Sequence, residues 1–168
     1  MNKLYFIIGA SGTGKTTAVR MLEARKPEGL AFCYSDDIPV PSFEEMRDKY
    51  GSVENWQQAK TEIWVSDIKQ RLIPNSSVVF DGQSRQSFII EACAKNQIEN
   101  YEIILFDCSD NVREDRLVNR GNPELVNQDM MNWAKYLREE SKKRGDIIID
   151  TSNFKIGEAA DRLAEQIK

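Results

Sequence analysis

Five short stretches of the chain are almost continuously apolar: Leu4–Ile8, Leu30–Tyr34, Val78–Phe80, Glu102–Phe106 and Ile147–Ile149. Runs of this length with little polar alternation are the pattern of strands covered on both faces. Between them the period changes to that of a helix. Lys15–Arg25 carries Ala18, Val19 and Leu22 on one face, and Glu54–Leu72 repeats Trp56, Ala59, Ile63 and Ile68. Asn127–Lys143 sets Met130, Trp133, Ala134 and Leu137 along one stripe; Ile156–Ile167 does the same with Ile156, Ala160, Leu163 and Ile167. Alternation of strand and helix predicts an α/β sandwich around a parallel sheet, with ligands at the carboxyl ends of the strands.

The length, 168 residues, fits one domain, and a 40% hydrophobic, 30% charged chain reads as globular. No apolar run approaches the ~20 residues of a membrane-spanning helix. Met1-Asn2-Lys3 runs straight into a strand too short for the apolar core of a signal peptide, so the expected location is the cytoplasm. Cys33, Cys93 and Cys108 are far apart and odd in number, which reads as reduced thiols in or near a core. There is no histidine. That removes imidazole bases and His-ligated zinc, and leaves a hard cation such as magnesium, held by oxygen ligands, as the expected metal. A net charge of −4 gives no whole-chain attraction to nucleic acid, which is an unexpected partner but not an excluded one.

The chemistry concentrates first in Gly9-Ala10-Ser11-Gly12-Thr13-Gly14-Lys15-Thr16, a full match to the phosphate-binding pattern G-x-x-x-x-G-K-[ST]. Glycines let the backbone approach phosphate oxygens, and successive N–H groups point inward at the positive end of a helix. Gly9, Ser11, Gly12, Thr13, Gly14, Lys15, Thr16 and Thr17 are therefore the expected ATP-binding residues. Lys15 would reach the β- and γ-phosphates, and the Thr16 hydroxyl would ligate magnesium. The pattern follows an expected strand and opens an expected helix, the context it requires.

Three further blocks resemble the nucleoside-monophosphate-kinase-like group of small P-loop kinases. Val78-Val79-Phe80-Asp81-Gly82-Gln83-Ser84-Arg85 looks like the strand plus D-G-x-P-R of adenylate kinases, with Ser84 where the family has proline. The resemblance implies that Arg85 holds an acceptor phosphate and that Asp81 lies near the magnesium. Arg116 and Arg120 resemble the lid arginines of the same kinases. Four residues apart they share a helix face, so both guanidinium groups would close on one phosphate chain as catalytic cations; the bland alternative is a solvated basic face paired with Glu114 and Asp115. Gly121-Asn122-Pro123 reads as a turn at a lid tip. Ser35-Asp36-Asp37 ends the second strand where kinases of hydroxyl groups, such as polynucleotide 5′-kinases, carry a proton-accepting aspartate. Asp36 is the expected catalytic, acceptor-binding base; a turn or helix-cap aspartate is its alternative.

The resemblance implies one P-loop domain over residues 1–168, with a five-stranded parallel sheet in the order 2-3-1-4-5. A helical segment at about 41–73 would cover the acceptor and a lid would span about 113–138. Asp150-Thr151-Ser152-Asn153 falls where the family has its adenine-contacting loop, and Arg138 is a further candidate lid charge. Trp56, Trp64 and Trp133 read as packing residues or, alternatively, as a stacking surface for a substrate base. The expected activity is transfer of the ATP γ-phosphoryl group to a small acceptor, a nucleotide, a nucleoside or another hydroxyl metabolite. An NTP hydrolase, a nucleotide-sensing module and a polynucleotide 5′-kinase are the alternatives, and the oligomeric state is open.

Overall fold

In the computed structural model, which describes residues 2–37, 41–71 and 76–167, the five strands form one parallel sheet in the order β2-β3-β1-β4-β5. They are β1 (Leu4–Ile8), β2 (Leu30–Tyr34), β3 (Ser77–Asp81), β4 (Tyr101–Asp107) and β5 (Ile147–Asp150). β1 lies at the centre, with Leu4 opposite both Val78 of β3 and Tyr101 of β4. All five of its residues are buried, which is why it reads as a run without polar alternation.

Successive side chains of each strand feed opposite faces of the sheet. Leu4, Phe6, Ile8, Val78, Phe80, Ile103 and Leu105 build one core layer, and Tyr5, Ile7, Val79, Ile104, Phe106 and Ile149 build the other. The first layer is covered by α3 (Val53–Arg71), α4 (Gln86–Lys95) and α6 (Gln128–Arg144), through residues such as Ile68, Ile89 and Leu137. The second is covered by α1 (Lys15–Ala24) and α7 (Ile156–Gln166), through Val19, Leu22, Ala160 and Leu163. Each such buried aliphatic or aromatic side chain contributes roughly 1.5–3 kcal/mol. Gln86 ties α4 to α6 by donating to the Leu137 carbonyl at 3.1 Å and to Ser141 Oγ at 3.0 Å.

The remaining helices are α2 (Phe43–Tyr50) and α5 (Asp110–Asn119). α2 begins in a capping box: Ser42 Oγ accepts from the Glu45 N–H, and the Glu45 carboxylate accepts from the Ser42 N–H. The expected stripe on α3 needs correction. Ile68 is buried as expected, but Ile63 is 60% exposed, and Thr61 and Val65 complete the buried face. The expected end of this helix at Leu72 lies outside the described residues. Among the described residues no helix is long and apolar enough to cross a membrane.

Candidate active site at the carboxyl edge of the sheet

Residues 9–14 connect the central strand to α1, so the loop sits over the carboxyl edge of the sheet. Two glycines are forced. A Cβ on Gly9 would lie 2.5 Å from the Phe106 carbonyl oxygen of β4, and Gly12 has a φ of +85° with Arg113 packed against it. Thr13 is buried and its Oγ1 donates to the Ala10 carbonyl at 3.1 Å, closing the loop on itself. Residues 10–17 line a polar cavity of about 180 Å³, together with Ser35, Asp36, Gln83 and Arg120.

The carbonyls of the loop are satisfied from behind. Arg113 Nη1 donates to the Ser11 carbonyl at 2.9 Å, and Arg116 Nη1 donates to those of Gly12 and Thr13 at 3.3 and 3.4 Å. Thr151 Oγ1 donates to the Thr13 carbonyl at 2.8 Å. Arg116 is further anchored to Thr151 through Oγ1 at 2.9 Å and the carbonyl oxygen at 2.7 Å. Arg113, fully buried, has its charge balanced by Asp107 at 3.2 Å, and Asp107 also pairs with Arg138. The hydrogen bond to Asp107 raises the Arg138 pKa above its ordinary value. With the carbonyls held backwards by permanent cations, the loop is braced from the side opposite the cavity.

This geometry separates the expected arginine pair. Arg120, exposed at the end of α5, lines the cavity and donates through Nε to Asn122 Oδ1 at 2.9 Å. Arg116 instead braces the loop from the rear. Its guanidinium donates to three backbone carbonyls and does not line the cavity beside Arg120. The expected lid, residues 113–138, packs against the loop and the sheet. Arg113 is locked beneath the loop and α6 packs on the sheet; the residues between α5 and α6 carry a short turn, Pro123–Leu125. Arg138 pairs with Asp107 rather than standing free.

Inside the cavity the Lys15 ammonium pairs with the Asp81 carboxylate and lies 3.3 Å from Thr16 Oγ1. The two side chains expected to hold magnesium thus reach one cationic point. A hydroxyl and a carboxylate there, completed by phosphate oxygens, fit a hard octahedral cation. Gln83 Nε2 reaches Ser11 Oγ at 3.3 Å and links the end of β3 to the loop.

A second cavity, about 290 Å³, adjoins the first and shares Ser35, Asp36 and Gln83 with it. Its far side is formed by α3 through Trp56, Gln57, Lys60, Thr61 and Trp64, and its floor by Phe80 and Ser84. Asp36 is exposed in the turn Ser35–Asp37 that follows β2, and Ser35 Oγ donates to its Oδ1 at 3.3 Å. Ser84, standing where the resemblance has proline, shares a 2.8 Å hydrogen bond with Thr61. Arg85, the expected acceptor residue, does not line this cavity. Its guanidinium packs over the rings of Tyr136 at 4.9 Å, Trp133 at 5.4 Å and Phe88 at 5.9 Å, with Glu54 3.7 Å away. The cation that does line the cavity is Lys60. No motif marked it; the pertinent signal was Trp56, Lys60 and Trp64 at successive i, i+4 positions of one helix face.

The cysteines carry none of this chemistry. Cys93 and Cys108 are buried thiols; burial pushes Cys93 up to about 12 and raises Cys108 above its ordinary range.

The RapZ-like N-terminal domain family matches residues 2–168. An adenylate kinase from Nautilia profundicola is 27% identical over 100% of this chain and 97% of its own length. A nucleotide-binding protein from Geotalea uraniireducens is 28% identical over 99% of the chain, which spans only 54% of that protein. Among solved structures, an unliganded sugar kinase from Janibacter superposes with a TM-score of 0.68 at 14% identity, over 98% of this chain and 94% of the other. That likeness is one of fold, and it is the fold of P-loop kinases.

Proposed function

The chain belongs to the RapZ-like N-terminal domain family, and on that premise we propose that it transfers the γ-phosphoryl group of ATP to the hydroxyl of a small acceptor seated against α3. One observation carries this reading: Asp36 lines both the phosphate cradle and the α3 cavity. A carboxylate at the junction of two adjoining cavities stands where an acceptor hydroxyl must meet a phosphate.

In this reading the loop N–H groups and Lys15 hold the triphosphate, and Thr16 with Asp81 would hold magnesium. When bound, magnesium neutralises charge on the phosphate oxygens. Lys15 exchanges its carboxylate partner for phosphate, while Arg120 approaches the transferring group from the front of the cavity. The acceptor oxygen forms its bond to the γ-phosphorus as the bond to the bridging oxygen breaks and ADP departs. The hydroxyl proton passes to Asp36. Positioning and electrostatics provide most of the rate in such reactions, and neither requires histidine.

The test is Asp36→Asn, nearly isosteric and unable to take a proton. With an acceptor identified by screening for phosphorylated products, turnover falls about 100-fold, the size of a lost general base, while ATP affinity stays near that of the parent. Near-parental turnover in Asp36→Asn removes the base from the mechanism. A second reading, a nucleotide-binding module without turnover, is favoured by the half-length match to a protein described only as nucleotide-binding. It predicts ATP binding that no acceptor converts into ADP.

A further inference from the structure

We propose that the acceptor is a small hydroxyl compound that also carries an anionic group, carboxylate or phosphate, and that Lys60 is the residue that selects it. The proposal rests on the phosphotransfer reading for the role of the hydroxyl, and on the α3 cavity itself for the charge.

Among the described residues, Lys60 is the one basic side chain lining this cavity. The half-buried Lys3 and the buried Lys15 have carboxylate partners, Glu102 and Asp81, and the half-buried Lys69 donates to the Asn96 carbonyl. Lys60 has no hydrogen-bond or ion-pair partner among the described residues, and its ammonium lies 4.9 Å from the centre of the Trp56 ring. Burial pulls its pKa below the ordinary lysine value, opposed only by the charge of Asp36. A cation that is partly desolvated and not neutralised is stabilised by any anion that enters beside it.

The remaining walls say what else the ligand carries. Thr61 Oγ1 donates to the Gln57 carbonyl at 2.8 Å, which uses its proton. Ser84 Oγ can then donate to Thr61 at 2.8 Å or to the Arg85 carbonyl at 3.5 Å, and its own lone pairs face no donor among the described residues. A floor with acceptors to spare suits a ligand hydroxyl. Trp56, Trp64 and Phe80 supply apolar faces. Charge from Lys60, spare acceptors from Ser84, apolar faces and a volume at the small end of ligand sites, ~300–1,000 Å³, together describe one hydroxylated anion of modest size.

The experiment uses acceptors paired by charge: glycerate with glycerol, 3-hydroxybenzoate with 3-hydroxybenzyl alcohol, ribose 5-phosphate with ribose. Binding to the full chain is followed by tryptophan fluorescence, and turnover with MgATP by product mass. The expected result is that at least one anion binds about tenfold more tightly than its neutral partner, the scale of one charge-assisted hydrogen bond. The carboxylate and phosphate arms identify which anion is read. Lys60→Gln then raises KM for that anion about tenfold, with the larger change in KM than in kcat, and Lys60→Arg restores part of the loss. If no anion in the panel outbinds its neutral partner, or if Lys60→Gln leaves the preference intact, the proposal falls. The two readings separate cleanly. Anion-selective binding without phosphorylated product keeps the Lys60 site and dismisses phosphotransfer, whereas turnover of neutral alcohols alone keeps phosphotransfer and dismisses the anion.

Discussion

Lys15 and Asp81 form an ion pair inside the phosphate cradle, with side-chain exposures of only 9% and 3%. The lysine opens α1 and the aspartate ends β3, so the pair couples the loop to the sheet in the absence of nucleotide. Removing either partner alone strands a buried charge, which costs on the order of 3 kcal/mol. Lys15→Met and Asp81→Asn should each destabilise the nucleotide-free protein. The double variant should lose less than the sum of the two. Urea unfolding of all four proteins checks this; additive losses would contradict the coupling. Lys15→Met should also abolish ATP binding, and its unfolding curve separates that effect from loss of fold.

The arginines at 116 and 120 should answer to different measurements. Arg116→Ala removes one donor each from the Gly12, Thr13 and Thr151 carbonyls, a loss of about 1–3 kcal/mol. Tm should fall by roughly 2–4 °C per kcal/mol, and ATP affinity should drop as the loop loosens. Arg120→Lys keeps the charge but removes the planar fork, so kcat should fall by more than ATP affinity. Thermal melts and steady-state kinetics on the two variants distinguish a brace from a phosphate-facing group. Identical behaviour would contradict the assignment.

Acid stability has one assignable contributor at the end of β5. The Asp150 carboxylate accepts from the Ser152 hydroxyl and from the Ser152 N–H at 2.9 Å, and these bonds hold its pKa below the ordinary 3.8. A carboxylate with a lowered folded pKa stabilises the fold above the unfolded value of 3.8, and the stabilisation disappears as pH falls through the folded one. Asp150 is exposed, so the contribution is small. Melting curves from roughly pH 5 to pH 2 should show a shallower acid loss for Asp150→Asn than for the parent, and parallel curves would remove Asp150 from the account.

The fold was legible because parallel strands buried on both faces are written as unbroken apolar runs. Leu4–Ile8 and Leu30–Tyr34 were delimited from that pattern alone, and the sheet order followed from the resemblance. One helix, α4, went unread, and α2 was read only as part of a helical segment at about 41–73, although each had a signal. Ser42 and Glu45 spell the capping box of α2, whose sole buried residue, Met46, leaves almost no apolar stripe. Phe88, Ile89, Ala92 and Cys93 recur at helical spacing in α4. The cradle was legible since its function dictates contiguous residues. The position of Arg116 behind the loop was not legible, because spacing gives the face of a helix but not which side of a loop that face meets. Lys60 was invisible for a related reason: it lies in the sequence far from the residues it faces, and packing of α3 against β3 creates its environment.

The most direct measurement is the balance of products from MgATP with and without acceptor. Here the account predicts that ADP formation rises when an acceptor from the charged panel is added, and that each ADP is matched by one phosphorylated acceptor. ATP consumption indifferent to every acceptor, with inorganic phosphate as its only other product, would contradict phosphotransfer and identify a hydrolase.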